Sequence, residues 1–247
     1  MRPLIAIISA RFRLLLQYRA AAFAGLTTQV VFGLIIMMAY QAFYRSKTIG
    51  DQPLSIQQVI TYIWLGQALL AMLPWNGDPE IRALVQSGGV AYELLRPVDL
   101  YTYWYARAVA LRTAPTLLRA VPMVILAMGL FGMNPPSDAG SAVGFAIVMI
   151  GTLAMSCAIT VLGGITLMWT ISGEGILRLL PSLVMLLSGM LVPIPLFPDW
   201  AQPILEFLPF KALVDAPYRV YLGNIPIEEL GPVVLHQWVW IALLVLG

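Results

Sequence analysis

The sequence predicts an all-α integral membrane protein, and three observations support that prediction. Of its 247 residues, 60% are hydrophobic and only 11% are charged, and the mean hydropathy is +0.85. Soluble domains carry about 25% charged residues, and a soluble chain of this length could not cover so much apolar surface. The apolar residues also gather in stretches of about 20, which cross roughly 30 Å of hydrocarbon as helices. An ordinary soluble enzyme, a disordered chain and a disulfide scaffold are therefore excluded, the last because Cys157 is the only cysteine.

The apolar stretches predict six transmembrane helices in a single domain, 1–247. The sixth stretch begins near Val233 and has only fifteen residues before the sequence ends at Gly247. As a helix it would measure about 22 Å, so we interpret it as a truncated span. The other five stretches are 21–44, 56–75, 113–133, 141–171 and 176–197.

Residues 1–19 predict a helix that lies in the membrane interface. Arg11, Arg13 and Arg19 interrupt any apolar region, and no small-residue cleavage site follows, which excludes a signal peptide. On a helical wheel the apolar side chains share one face, as in interfacial helices. A frayed cytoplasmic tail is the alternative.

The basic residues predict that both termini are cytoplasmic. Ten of the 14 lysine and arginine residues precede the first span, lie between the second and third spans or early in the third, or follow the fourth. The other four fall on the opposite side, and an excess of basic residues marks the cytoplasmic side. The loop 134–140, which has no basic residue, is then external.

The sequence provides little chemistry for catalysis. His236 is the only histidine, Cys157 lies among apolar residues in mid-span, and no carboxylate lies deep in the first five spans. No G-x-x-x-x-G-K-[ST] phosphate-binding loop is present. We therefore predict that the protein is not an enzyme, binds no metal or cofactor directly, and takes energy for active transport from another chain.

The segment 76–100 is predicted to form two short cytoplasmic helices. Asp78 and Asp99 are suited to cap helices, and Gly88 and Gly89 separate the two short ones. A spacer or a solvated loop is the alternative.

The third span predicts a candidate transport residue. The helical pattern runs from Leu100 to Gly132, about 50 Å, so part of this helix must extend beyond the hydrocarbon. Arg119 is placed about 10 Å inside the membrane, and an arginine at that depth is a candidate for the pathway. Snorkelling of the side chain toward the cytoplasm is the competing account.

The segment 193–230 is apolar and interrupted by prolines, and its stretches are too short to span. Short helices that re-enter the outer leaflet fit this pattern, provided that protein buries their free backbone groups. An amphipathic cover lying flat on the outer surface is the alternative.

The chain resembles the type-2 ATP-binding cassette (ABC) transporter permeases, in particular small bacterial six-span subunits. Residues 89–97, Gly-Val-Ala-Tyr-Glu-Leu-Leu-Arg-Pro, resemble that family's cytoplasmic stretch. Spacing, hydropathy and orientation agree over the whole chain. The second match, in the family's segment between the last two spans, comprises Ser188, Gly189, Pro193, Leu196, Phe197, Pro198, Trp200, Leu208, Pro209, Phe210, Pro217, Tyr221, Leu222 and Gly223.

The resemblance implies an assembly and a direction of transport. Two permeases, identical or paralogous, would stand side by side in the bacterial inner (plasma) membrane above two ATP-binding cassette ATPase subunits, which bind ATP and Mg. Export, or movement between leaflets, is implied rather than import. Membrane lipid surrounds the assembly, and no nucleic acid takes part.

The resemblance also assigns roles to residues. Segment 76–100 would couple the permease to the ATPase, and 193–230 would form an external gate. The coupling residues would be Arg82, Gly88, Gly89, Tyr92, Glu93, Arg96 and Pro97, and the gate residues Pro193, Phe197, Pro198, Trp200, Pro209 and Phe210.

Two other functions remain open. An ion-coupled secondary carrier is disfavoured because the spans lack a midplane carboxylate. A non-transporting membrane scaffold is disfavoured by the arginine-bearing third helix, which two prolines should bend. A lipid, a glycan, a peptide or a drug would each suit an apolar permease.

Overall fold

The computed structural model describes residues 2–17, 19–46, 52–95, 97–170 and 174–246, and these ranges are helical without any strand. Short 3-10 helices occur at Leu70–Met72, Ile194–Leu196, Pro209–Leu213 and Ile227–Glu229. The α-helices are α1 (Arg2–Leu16), α2 (Arg19–Ser46), α3 (Ile56–Ala68), α4 (Pro79–Gln86), α5 (Val90–Glu93), α6 (Leu100–Leu130), α7 (Ala139–Thr170), α8 (Glu174–Leu187), α9 (Gln202–Phe207), α10 (Asp215–Tyr221) and α11 (Leu230–Leu246).

Within the described ranges, four helical segments are long and apolar enough to cross a membrane: Phe23–Ser46, Leu100–Leu130, Ala139–Trp169 and Ile227–Leu246. They confirm an all-helical, multi-pass membrane protein. The last segment begins six residues before the predicted sixth span and is 20 residues long, enough to cross. The count of six spans and the orientation of the termini stay predictions.

The predicted second and fifth spans contain shorter helices than expected. Helix α3 ends at Ala68 and is followed by the 3-10 helix Leu70–Met72, and Pro74 disfavours a return to α-helix at Leu73. Helix α8 ends at Leu187 because Gly189 adopts φ +85°, the left-handed conformation that terminates helices.

The segment that contains α3 nevertheless runs alongside α6 over a membrane-like distance. At one end Gln57 Nε2 donates to the carbonyl of Gly132 at 2.5 Å, and at the other Arg112 Nη1 donates to the carbonyl of Leu73 at 2.7 Å. Gly132 and Arg112 are 20 residues apart, about 30 Å along a helix. The predicted second span therefore extends through the molecule antiparallel to α6, although only its first part is α-helical.

Helix α3 forms the centre of the core. Every residue from Val59 to Ala68 is buried. The Trp64 ring stacks on Phe131 with 4.6 Å between ring centroids, and Tyr62 meets Tyr218 of α10 edge-on at 5.0 Å. Other parts of the protein therefore shield α3 from lipid.

Candidate functional site

A buried ion pair attaches the predicted coupling segment to helix α6. Asp78 caps α4 by accepting a hydrogen bond from the Glu80 backbone N–H at 2.9 Å. Its other carboxylate oxygen, Oδ2, lies 2.7 Å from Arg107 Nη2 of α6. The side chains of Asp78 and Arg107 are 2% and 10% exposed, so the pair is largely shielded from water.

Glu80 extends this pair into a network that joins three helices. Its carboxylate lies 2.5 Å from Arg11 Nη1 of α1 and 2.8 Å from Arg107 Nη2. Burial raises the pKa of Glu80, but the hydrogen bonds from Arg107 and Arg11 outweigh it, so the pKa lies below its ordinary value. The network holds α1, α4 and α6 together at one end of the molecule.

The two short helices of the coupling segment are present and are separated by glycine, as predicted. Of the two glycines only Gly88 adopts a positive φ, +74°, whereas Gly89 has φ −62° and precedes α5. Gly88 is therefore the position at which the backbone conformation favours glycine. Asp99 caps α6 by accepting from the Thr102 backbone N–H at 2.8 Å.

Apolar side chains project outward from α5 and from the two residues that follow it. Tyr92, Leu94 and Leu95 are 77%, 62% and 81% exposed, whereas Glu93 is buried at 7%. Glu93 thus faces the permease itself, although the sequence analysis assigned it to contacts with the ATPase.

The remaining predicted coupling residues differ in their exposure. Arg82 is half-buried and Pro97 is exposed. Arg96 lies outside the described residues.

Arg119 lines a cavity of about 960 Å³ at the same end of the molecule as the coupling segment. It lies twelve residues from both Arg107 and Phe131, about 18 Å along α6 in each direction. Its guanidinium approaches α2, where a Cβ on Gly25 would lie 2.8 Å from Arg119 Cζ. Its role in a pathway stays a prediction.

Arg112, which also lines the cavity, is held by neutral oxygen atoms. It donates to the Thr160 hydroxyl at 2.8 Å, to the Leu73 carbonyl at 2.7 Å and to the Asn76 carbonyl. This arrangement was not predictable from the sequence, because the partners of Arg112 lie 36 to 48 residues away along the chain.

The six predicted gate residues do not share one surface. Pro193 and Pro209 are buried, Phe197 and Phe210 are half-buried, and Pro198 and Trp200 are exposed.

Part of the external segment penetrates deeply into the protein. The Ala212 carbonyl accepts hydrogen bonds from Thr152 Oγ1 at 2.9 Å and from Gln237 Nε2 at 3.3 Å. Thr152 lies thirteen residues into α7, about 20 Å from its start at Ala139. This placement favours the re-entrant alternative over a flat cover.

Asp215, at the start of α10, is a buried acid that the sequence analysis missed. Its Oδ1 accepts hydrogen bonds from the Ile194 N–H at 3.0 Å and the Tyr62 hydroxyl at 3.2 Å, and Oδ2 lies 3.6 Å from Arg219. Burial raises the pKa of Asp215, while Arg219 and the hydrogen bonds oppose that rise. These contacts brace the external segment against α3. Its position between apolar Val214 and Ala216 was the available signal.

The described residues contain no group of three histidine, cysteine, aspartate or glutamate side chains that could hold a metal ion.

A family model described as "ABC-2 family transporter protein" matches residues 26–246. Comparisons with curated proteins and with solved structures gave no significant match.

Proposed function

The chain belongs to the ABC-2 family of transporter proteins, and we propose that it is the permease subunit of an ATP-driven exporter. Membership of the family supports an ABC transporter permease role, which is a transport role rather than an enzymatic one. The proposal adds that the substrate moves across the membrane or between its leaflets. It also adds that a separate subunit hydrolyses the ATP.

The observation that supports this proposal best is the exposed apolar face of Tyr92, Leu94 and Leu95. The sequence has no phosphate-binding loop, so ATP can act on the permease only through contact with another chain. Exposed aromatic and aliphatic side chains in water favour burial in a partner interface. This face is the proposed docking site of the ATPase.

The network around Asp78 provides a route for the energy. A movement of the segment 92–95 reaches α4 through the turn at Gly88, and α4 is tied to α6 by the Asp78–Arg107 pair. Because α6 carries Arg119, the route leads to the cavity. A rigid ion-pair network transmits displacement better than a solvated loop, which is the alternative reading of this segment.

The proposed assembly contains two copies of the ATPase, which bind ATP and Mg²⁺, and a second permease that is identical or paralogous. The bacterial plasma membrane is the proposed location. Apolar side chains on the outer surface of α2 are available to lipid or to the second permease, among them Val31, Phe32, Ile35 and Met38.

The segment 193–230 is the proposed external gate. This proposal is supported by the position of Ala212 deep in the protein, where its carbonyl accepts hydrogen bonds from side chains of α7 and α11. A shift between those helices would therefore move the segment directly.

The test is affinity purification of the tagged permease from membranes that contain the candidate ATP-binding subunits. We expect an ATP-binding cassette ATPase to co-purify, and ATP hydrolysis to rise in the presence of substrate. Purification without any ATPase, together with uptake driven by an ion gradient, would instead support the secondary carrier. Absence of both would support the scaffold.

A further inference from the structure

The cavity among the end of α3, α4, α6, α7 and α8 carries an excess of positive charge. Its volume of about 960 Å³ lies at the upper end of the range for small-molecule sites. Among the described lining residues are four arginines, Arg82, Arg112, Arg119 and Arg178, and one carboxylate, Asp78. That carboxylate is already paired with Arg107 at 2.7 Å, so it does not neutralise the cavity.

Arg82 and Arg178 interact with other groups of the chain, so the uncompensated charge of the cavity lies on Arg112 and Arg119. Arg112 is only 5% exposed, and its hydrogen bonds go to two carbonyls and a hydroxyl. Within the described ranges it makes no ion pair with a carboxylate. Its charge is therefore fixed in position but not neutralised, and a buried charge without a counter-ion is costly.

Arg119 is the second charge without a counter-ion. Within the described part of the chain its guanidinium forms neither a hydrogen bond nor an ion pair, and its Nε is buried without a partner. Arg119 lies about 18 Å along α6 from both Arg107 and Phe131, near the middle of this stretch of the chain. An arginine at membrane depth is expected to pair with an anionic or polar group. For Arg119, the cavity provides the space for such a group.

Most other residues of the cavity wall are apolar, so the ligand requires an anionic group and an apolar body. Guanidinium groups match the oxygen geometry of phosphate, and two of them suit an anion with several acceptor oxygens. The apolar lining includes Leu70, Leu111, Pro115, Leu167, Leu177 and Pro181.

We infer that this cavity binds an amphiphile whose headgroup carries a phosphate and a net negative charge, with that headgroup beside Arg112 and Arg119. The inference rests on the proposed permease function and names the class of substrate that this permease accepts. The shared chemistry, a phosphate ester, could come from a phospholipid headgroup or from a small soluble phosphate, and the experiment separates these sources.

The experiment titrates the purified full chain with dioleoyl phosphatidylglycerol, dioleoyl phosphatidylcholine or glycerol phosphate and measures binding by native mass spectrometry. We expect phosphatidylglycerol to bind at least about tenfold more tightly than the other two, a difference of about 1.4 kcal/mol. Arg119→Gln should remove most of that preference, and Arg119→Lys, which keeps the charge, should retain most of it. Arg13→Gln is the matched control, because Arg13 is an exposed arginine of α1 that does not line the cavity.

Equal binding of the two lipids would overturn the inference, as would a preference that Arg119→Gln leaves unchanged. Glycerol phosphate binding as tightly as phosphatidylglycerol would assign the site to soluble phosphate esters and overturn the amphiphile. None of these measurements requires the ATPase. A permease that binds the lipid but no ATPase would therefore refute the proposed function alone, and the converse would refute this inference alone.

Discussion

Arg107 and Asp78 lie 29 positions apart in the sequence, and their side chains form a buried ion pair with 2.7 Å between Nη2 and Oδ2. The same carboxylate caps α4, so one side chain both starts the coupling segment and attaches it to α6. Arg11 adds a third helix to the arrangement through Glu80. The coupling segment is therefore part of the folded body and not a free loop.

Removing one member of this pair should be more harmful than removing both. Arg107→Gln leaves the buried Asp78 carboxylate without its main counter-ion, and we expect it to lower the free energy of unfolding by about 3 kcal/mol. Asp78→Asn keeps a helix-capping side chain, so adding it to Arg107→Gln should restore part of the loss. The measurement is equilibrium unfolding in mixed micelles. The control is Arg13→Gln at an exposed position, which should change the free energy of unfolding by less than about 0.5 kcal/mol. Additive effects of the two substitutions would contradict the pairing.

Glu80 predicts a dependence of stability on pH. Because its pKa is lowered in the folded protein, the unfolded chain binds more protons over the window just below the ordinary value of 4.5, and stability rises with pH there. The contribution is complete above about pH 4.5 and is lost as the pH falls through the lowered pKa. Wild-type protein should therefore unfold at a higher temperature than Glu80→Gln at pH 6, and the difference should shrink as the pH falls below 4.5. A difference that stays constant as the pH falls would show that the ion pairs with Arg11 and Arg107 do not stabilise the fold.

Gly151 should be essential for packing of the external segment. A Cβ at this position would lie 2.6 Å from Cδ of Gln237, whose amide binds the Ala212 carbonyl. We expect Gly151→Ala to destabilise the protein by about 1–3 kcal/mol, since over-packing displaces Gln237. Gly129→Ala is the matched control, because a Cβ on this glycine of α6 meets nothing within 4 Å. It should be neutral or stabilising, owing to the higher helix propensity of alanine. Equal thermal stability of the two variants would refute the role of Gly151.

The orientation can be tested without removing the native cysteine, because Cys157 is fully buried. Ala139→Cys and Ser87→Cys place exposed thiols at opposite ends of the molecule. If both termini are cytoplasmic, an impermeant thiol reagent added outside intact cells should label Ala139→Cys and spare Ser87→Cys. The reverse pattern would overturn the orientation and the cytoplasmic position of the coupling segment.

Local chemistry in the sequence predicted several elements closely. The Asp99 cap and the helical pattern predicted a helix from Leu100 to Gly132, and α6 runs from Leu100 to Leu130. The two short helices on either side of Gly88 follow from capping and glycine conformation. These features depend on residues a few positions apart, and a sequence displays them directly.

Features that depend on distant neighbours were not predictable. Hydropathy cannot distinguish a helix buried in protein from one facing lipid. The central position of α3 and its early end at Ala68 could therefore not be predicted from the sequence. The burial of Glu93 and Asp215 likewise depends on tertiary packing. The predicted gate residues were grouped by the resemblance to a family segment, but the structure distributes them between the interior and the surface.

The measurement that tests the central claim most directly is co-purification of the ATPase with the Tyr92→Ala, Leu95→Ala double variant. Both side chains are more than three-quarters exposed, so the permease should keep its wild-type unfolding temperature. Loss of a docking contact worth roughly 2 kcal/mol should weaken ATPase binding about thirtyfold and reduce substrate-stimulated ATP hydrolysis with it. Ile5→Ala, which removes an apolar side chain of α1 that is 65% exposed, should leave both unchanged. Wild-type binding and hydrolysis in the double variant would contradict the assignment of 76–100 as the coupling segment.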